Sequence, residues 1–513
     1  MAKMTNFCIL FDDVKAYMLF SLFISTLGPI QYGFHLAELN APQDLIMCGH
    51  NSITKGNIHL KALGLSNCIQ MTEAIFASLS SVFVIGGFIG AVITGQGCNI
   101  YGRLKTMRLM SLFFVVGSIL ETVAESVLTL IIGRFLTGLG AGAATVVTPL
   151  YISEISPPKL RSLSGTITQT MICLGILLTQ TLGYVFRYAS QWRFILVFGT
   201  GLGIVHAVFL FFIPESPAWL LLSKNPQLAK QVLQSIRSAR YPIHKEIATW
   251  NNMNPTSAEE EPLIASPRSL VTRNELDNSI NAEFTTGLPS KKGIFTVLHD
   301  PLYYPAVIAV VGVMFAQQLS GINSINLYSV SLLHGVLPIS SRALAIVIST
   351  INVVATIICA PLVYYIGRKS CLLISIAGMG AMSFILALSL VLELKLLAAF
   401  AVLLFVGFFA TGLGPVPIIM ASELVGLEAV SATQSWCLAG NYMATFLVAQ
   451  FFPLVNSWMN AQWGGTGWVF FGFAASAIMS FIFVAYCVPE TKGKNNPDEI
   501  WGRTKQSSFQ QHA

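Results

Sequence analysis

Residues 317–323 read Gln-Gln-Leu-Ser-Gly-Ile-Asn, and they lie inside an apolar stretch that runs from about Tyr303 to Leu333. Carboxamide side chains in a lipid-embedded helix are unfavourable unless they face a partner group or a water-filled cavity. Each carboxamide offers hydrogen-bond donors and acceptors without a net charge. A cluster of carboxamides inside a membrane span is therefore typical of a site for a neutral solute that is rich in hydroxyl groups.

The rest of the chain has the composition of an integral membrane protein. Of its 513 residues, 54% are hydrophobic and only 10% are charged, whereas soluble domains carry roughly 25% charged residues. Apolar segments of about 20 residues, the length that a bilayer crossing requires, lie near 16–36, 74–98, 108–124, 127–152, 164–186, 193–213, 302–334, 342–366, 370–391, 396–424, 431–456 and 466–488. The predicted fold class is an all-α membrane protein with twelve transmembrane helices.

The twelve segments divide into two similar halves. Tyr-Gly-Arg-Leu-Lys at 101–105 follows the second span, and Ile-Gly-Arg-Lys at 366–369 follows the eighth. Pro-Glu-Ser at 214–216 follows the sixth span, and Pro-Glu-Thr at 489–491 follows the twelfth. Similar motifs at equivalent helix ends predict two pseudo-symmetric six-helix bundles, with the solute site between them at mid-membrane.

A polar insert separates the two bundles and completes the predicted domain organisation. The regions are an N-terminal bundle at 1–213, a cytosolic linker with short amphipathic helices at 214–300, a C-terminal bundle at 301–490 and a cytosolic tail at 491–513. Asn225-Pro226 is typical of a helix start. The apolar stripe of that predicted helix comprises Leu228, Val232, Leu233 and Ile236. Lys and Arg are concentrated in the short loops on one side, which places both termini and the linker in the cytosol.

Several motifs resemble one known family over nearly the whole chain. The matching stretches are Gly133-Arg134, Pro149-Leu-Tyr-Ile-Ser-Glu154, Pro214-Glu-Ser-Pro-Ala-Trp-Leu220, Gln317-Gln-Leu-Ser-Gly-Ile-Asn323, Gly414-Pro-Val-Pro417 and Pro489-Glu-Thr-Lys492. In this order and spacing they resemble the sugar porters of the major facilitator superfamily, the glucose and hexose transporters, and most of all the fungal members. The resemblance implies a transporter that moves a monosaccharide or related polyol by alternating access, and we expect it to work as a monomer without a cofactor.

The candidate substrate-binding residues are neutral amides on facing spans. The resemblance and the hydrogen-bonding argument point to the same set, namely Gln169, Gln317, Gln318, Asn323, Asn352 and Asn441. The alternative is that such amides only hold helices together. No Lys or Arg lies at the centre of a span, which favours a neutral sugar or polyol over an organic acid. Gly321 and the run Gly412–Pro417 are expected to interrupt helices beside the cavity.

A second group of residues resembles the salt-bridge network that the family carries at its cytosolic helix ends. Its members are Arg134, Glu154, Arg161, Glu215, Arg368, Glu423 and Glu490. Such pairs would close the cytosolic side in one state and break in the other. The chain also departs from the family pattern at four positions. Ile418 and Ala410 change the expected sugar pocket, while Val430 and Tyr364 remove expected partners from the C-terminal network.

The sequence allows two interpretations of whether transport is coupled to protons. Proton-linked members of the family have an Asp in span one, where this chain reads Gln31-Tyr-Gly-Phe-His35. We therefore expect facilitated diffusion, with proton symport through His35 or Glu38 as the alternative. In the first case both side chains would lie in water at the outer end of span one.

Functions of other classes fit the sequence less well. A non-transporting sensor or trafficking factor on the same scaffold would be expected to carry a longer cytosolic tail. No nucleophile–base pair or metal-type spacing indicates an enzyme or a metal site, and the modest net charge of +6 lies in short loops, which argues against a nucleic-acid partner.

Two short features bear on the compartment. Cys48 and Cys68 fall in the non-cytosolic loop between spans one and two, where oxidising conditions permit a disulfide. Glu259, Leu263 and Ile264 resemble an acidic dileucine sorting signal. The expected location is the vacuolar membrane or the plasma membrane, and a working sorting signal would direct the protein to the first.

Overall fold

The computed structural model describes residues 15–48, 66–157, 164–186, 191–223, 225–238, 293–326, 341–426, 428–494 and 497–502. Within these ranges twelve helical regions occupy the places of the predicted spans, which we number in chain order. The N-terminal spans are Ala16–Ala37, Glu73–Tyr101, Arg103–Thr122, Val127–Ile155, Ser164–Val185 and Trp192–Phe209. The C-terminal spans are Tyr304–Leu319, Ser341–Ile366, Arg368–Val391, Lys395–Thr411 continued by Val416–Glu423, Val430–Trp463 and Val469–Cys487.

Nine helices in the described part of the chain are long and apolar enough to cross a membrane. Spans one and three and the shorter span seven complete the expected set of twelve. Span seven is short because its helix is interrupted at Ser320 and Gly321, where Gly321 has a φ of 94°. Span ten is interrupted in the same way between Thr411 and Val416. Both interruptions were predicted from the glycines, and both are confirmed.

The two halves meet along two pairs of spans that the internal repeat makes equivalent. Span two packs against span eleven, and span eight packs against span five. The first contact is close enough that a Cβ on Gly87 would lie 2.3 Å from the ring of Tyr442. Ser81 Oγ also donates a hydrogen bond to Gln450 Oε1 at 2.6 Å across this boundary. The pairing is the one that a two-fold relation between the halves requires.

The linker begins with short helices that pack beneath the N-terminal bundle. The helix Pro226–Ile236 forms where it was predicted, but its buried stripe comprises Ala229, Leu233 and Ile236, whereas Leu228 is 47% exposed. The backbone N–H of Lys15 donates to the carbonyl of Ile236 at 3.2 Å. This helix therefore lies beside the start of span one, and we call its side of the molecule the linker side.

Candidate functional site

A cavity of about 50 Å³ lies between the two halves. All six predicted amides line it, so the structure brings together residues from spans five, seven, eight and eleven, namely Gln169, Gln317, Gln318, Asn323, Asn352 and Asn441. On this measure about 10–15 Å³ is needed to hold one water molecule, so the cavity has room for a few waters in this conformation.

The amides of the C-terminal half form one hydrogen-bonded network around Gln317. Its Nε2 donates to the carbonyl of Leu413 at 2.5 Å, in the break of span ten. Its Oε1 accepts from Asn441 Nδ2 at 2.6 Å and from Gln318 Nε2 at 3.0 Å. Asn323 Nδ2 donates in turn to Gln318 Oε1 at 2.7 Å. The interrupted helices thus supply the carbonyl and the close approach that hold these side chains in place.

Two amides on the other wall of the cavity have weaker partners. Gln169 Nε2 donates only to a sulfur, Cys173 Sγ at 3.4 Å, among the hydrogen bonds of the described residues. Asn352 is 4% exposed, and its Oδ1 has no hydrogen-bond partner in the described part of the chain. A buried amide oxygen without a donor costs about 1–3 kcal/mol. A hydroxyl group entering the cavity would remove that cost.

Aromatic and hydroxyl side chains also line the cavity, and none of them belongs to the set of six predicted amides. Tyr32 on span one and Tyr442 on span eleven meet edge to face with their ring centroids 6.0 Å apart. The hydroxyl of Tyr442 lies 3.3 Å from Thr145 Oγ1. Tyr32 immediately follows Gln31 in the motif compared with proton-linked porters. Tyr32 and Leu36 are four residues apart on span one and both line the cavity, and this helical spacing was the signal that could have identified Tyr32.

Of the two positions at which this chain was expected to change the sugar pocket, only one lines the cavity. Ile418 lines the cavity, as expected, and adds an apolar side chain to its lining. Ala410 is fully buried, but its neighbour Phe409 and not Ala410 itself contacts the cavity. The cavity therefore combines an amide wall with an apolar wall.

On the linker side of the N-terminal half, four residues form a buried ionic network. Arg103 and Glu154 form a bidentate ion pair with contacts of 2.5 and 2.8 Å. Ser216 Oγ donates to the same carboxylate at 2.5 Å. Glu215 accepts from the backbone N–H groups of Arg103 and Leu104. Burial raises the pKa of Glu215, and its backbone hydrogen bonds oppose that shift.

The C-terminal half has the equivalent network. Arg368 pairs with Glu423 at 2.7 Å, and Thr491 Oγ1 donates to the other oxygen of that carboxylate at 2.6 Å. Glu490 accepts from the backbone N–H groups of Arg368 and Lys369. Val430 does not supply the partner that the family has there, yet Glu423 keeps two partners.

One basic residue was missed in the network and another was misplaced. Arg103 is the partner of Glu154, and the signal was its equivalence to Arg368 in the repeated Gly-Arg motif. The expectation that Arg134 belongs to this network is wrong. Arg134 lies in the second turn of span four, about 30 Å from Glu154 at 1.5 Å per residue, and it pairs with Glu38 at 2.5 Å. Arg161 and the side chain of Tyr364 lie outside the described residues.

The expectation that His35 and Glu38 lie in water is also wrong. Both are essentially unexposed, and His35 Nδ1 lies 2.9 Å from Glu38 Oε2. Arg134 from span four and Glu121 from span three complete a buried charged cluster on the side opposite the linker. Glu121 was not identified from the sequence, because a single Glu near the end of a span is usually exposed.

Cys48 and Cys68 are joined by a disulfide in the structure, with their Cα atoms 5.3 Å apart. The possible sorting residues Glu259, Leu263 and Ile264 lie outside the described residues.

The fold and the cavity define a two-bundle membrane transporter of the major facilitator type. The model of the Sugar (and other) transporter family matches residues 21–497, and the chain belongs to this family. It is 33% identical to the probable metabolite transport protein YBR241C of Saccharomyces cerevisiae, over 95% of this chain and 96% of that protein. It is 30% identical to vacuolar protein sorting-associated protein 73 of the same yeast, over 92% and 93%.

Among solved structures, the fold resembles that of the proton:xylose symporter XylE bound to 6-bromo-6-deoxy-D-glucose. The TM-score is 0.72, with 21% identity over 94% of this chain and 98% of that chain. The chain is thus a multi-pass membrane transporter of the sugar-porter class that works by alternating access.

Proposed function

We propose that the solute is a monosaccharide or a related polyol, and that the six cavity amides bind its hydroxyl groups. The observation that carries this proposal is their convergence from four spans on one cavity between the halves. Uncharged donors and acceptors suit hydroxyl groups, and the unpartnered Oδ1 of Asn352 offers an acceptor that a hydroxyl would satisfy. The apolar wall at Ile418 and Phe409 suits the carbon face of a ring.

The network on the linker side supports a rocking mechanism. Its ion pairs join helix ends within each half, and they are formed in this conformation, in which the central cavity is narrow. We place the linker side in the cytosol because Lys and Arg are concentrated in its short loops. The vacuolar membrane is the proposed location, since one relative is named for vacuolar protein sorting, with the plasma membrane as the alternative.

The test is uptake of labelled D-glucose, D-xylose and myo-inositol into liposomes that contain the purified protein. Gln318→Ala or Asn352→Ala should lower the uptake of whichever solute the wild type moves by about tenfold or more, since each removes hydrogen bonds worth about 1–3 kcal/mol in a buried site. Gln462→Ala is the matched control, because Gln462 is an exposed carboxamide on span eleven that lies outside the cavity. Normal uptake by both cavity variants would disprove the site.

A further inference from the structure

Two buried side chains connect the halves of the molecule behind the cavity wall that Gln169 and Asn352 form. Cys173 lies four residues after Gln169 on span five, and Thr356 lies four residues after Asn352 on span eight. Both side chains are buried, and both lie outside the lining of the cavity. The two amides with weak partners therefore share a supporting contact to which both bundles contribute.

The hydrogen bonds of these four residues run in one direction. Gln169 Nε2 donates to Cys173 Sγ at 3.4 Å. Thr356 Oγ1 donates to the backbone carbonyl of Asn352 at 2.7 Å, so its own hydrogen is already in use. The thiol hydrogen of Cys173 is then the one directed to Thr356 Oγ1, across a sulfur–oxygen distance of 4.0 Å. One thiol can serve both neighbours, because its sulfur is an acceptor and its S–H group is a donor.

The sulfur makes both of these contacts weak, since a thiol is a poorer donor and acceptor than a hydroxyl group. Gln317 and Asn441, by contrast, each donate to an oxygen, at 2.5 and 2.6 Å. A solute hydroxyl that replaces an oxygen partner gains little, because one good hydrogen bond is exchanged for another. A hydroxyl that replaces the sulfur at Gln169 gains more. The sulfur therefore orients this amide and still leaves it available.

The contact between Cys173 and Thr356 also crosses the boundary between the halves. Alternating access requires facing spans of the two halves to move relative to each other in each cycle. A sulfur–oxygen contact of 4.0 Å contributes little stability, so it opposes this movement less than a hydroxyl pair at ordinary hydrogen-bond distance would. The same weakness thus suits both solute binding and the movement of spans five and eight.

We propose that Cys173 is a positioning residue for the solute, whose sulfur holds the amide of Gln169 and releases it when a hydroxyl group enters the cavity. The proposal rests on the proposed function above, because it requires that Gln169 binds the solute. Thr356 accepts the thiol hydrogen and so leaves the lone pairs of the sulfur directed to Gln169. The strength of the bond between Gln169 and the side chain at position 173 then sets the affinity for the solute.

The first test measures the half-saturating concentration for exchange of labelled for unlabelled solute, in liposomes that contain the full chain. Cys173→Ser supplies a stronger acceptor that competes with the solute for Gln169, so this concentration should rise by about two- to tenfold. Cys173→Ala leaves the amide hydrogen without its partner, so the concentration should fall by a similar factor. A loss of packing alone would move both variants in the same direction.

Cys359 supplies the matched control, because it is a half-buried cysteine on span eight that lies outside the cavity. Cys359→Ser and Cys359→Ala make the same atomic changes and should keep the half-saturating concentration of the wild type. Shifts of Cys173→Ser and Cys173→Ala in one direction, or no shift in either variant, would overturn the positioning role. If the wild type moves none of D-glucose, D-xylose and myo-inositol, the proposed function itself fails.

The second test needs no transported solute. The infrared S–H stretching band of Cys173 is obtained as the difference between spectra with Cys173 and with Cys173→Ala, for purified protein in lipid. Hydrogen bonding lowers the frequency of this band. Thr356→Val keeps the shape of the side chain but removes the acceptor oxygen, so the band should move to higher frequency, whereas Thr356→Ser should leave it in place. An unchanged band in Thr356→Val would overturn the bond between Cys173 and Thr356, whatever the solute is.

Discussion

The ionic networks on the linker side of the two halves are built from the same parts but lie in different surroundings. Each joins an Arg after a Gly, a Glu at the end of a span, and a Glu-Ser or Glu-Thr pair that follows the last span of its half. In the N-terminal half the paired side chains are 4% and 7% exposed. In the C-terminal half they are 9% and 25% exposed.

This difference in burial implies a difference in energy. Removing one partner of a buried ion pair leaves an uncompensated charge in a poorly solvated place. The same removal at a partly solvated pair is cheaper, because water screens the remaining charge. We therefore expect the C-terminal network to open more easily than the N-terminal network.

The largest expected effect is that of removing the arginines. Arg103→Ala leaves Glu154 without its cation and should cost about 3–5 kcal/mol of stability. Arg368→Ala should cost less than half of that, because Glu423 is partly solvated and keeps Thr491 as a donor. Thermal unfolding of the purified variants measures both. Lys105→Ala, an exposed lysine in the same helix turn, is the control and should unfold like the wild type. Equal losses in the two halves would refute the comparison.

The next effect concerns the glycines that precede the arginines. Gly102 and Gly367 have φ angles of 92° and 111°, a region that other residues rarely adopt. A Cβ would also lie 2.5 Å from Glu215 Oε2 in one half and 2.7 Å from Glu490 Oε2 in the other. Gly102→Ala and Gly367→Ala should each cost about 1–3 kcal/mol.

Thermal unfolding also measures this pair, with a glycine inside span six as control. Gly201→Ala meets no atom within 4 Å, and it should be neutral or slightly stabilising because Ala favours helix. A larger loss for Gly367→Ala than for Gly102→Ala would show that backbone conformation and not burial dominates at these turns.

The sequence predicted the networks in part, and the repeat explains which part. Matching Pro-Glu motifs placed Glu215 and Glu490 at equivalent ends, and the structure puts them in equivalent contacts. The same repeat could have revealed the role of Arg103, but Arg103 was missed because it lies with Lys105 and Arg108 in a loop that resembles a plain topology signal. Arg134 was assigned to the wrong network, because a short sequence motif identifies a residue but does not show at which end of its helix the residue lies.

The amides and the buried cluster show the same limit. Gln317 and Asn323 were identified because polar residues stand out in an apolar span, and both line the cavity. Tyr32 was not identified as a cavity residue, because an aromatic residue in a membrane span is ordinarily part of the core. Glu38 and Glu121 are separated by 83 positions in the chain, and the packing of the spans brings carboxyl oxygens of the two residues within 4.8 Å of each other.

The smallest expected effect distinguishes the two hydroxyl donors. Ser216→Ala removes the hydrogen bond to Glu154 and the cap that Ser216 Oγ provides to the N–H of Trp219, so it should cost about 1–2 kcal/mol. Thr491→Ala removes one bond to a partly solvated carboxylate and should cost about half as much. The swaps Ser216→Thr and Thr491→Ser keep a hydroxyl in each half and serve as controls that should unfold near the wild-type temperature. If Thr491→Ala lowered the unfolding temperature more than Ser216→Ala, then the partly exposed C-terminal network would contribute more stability, and burial would not determine which network is stronger.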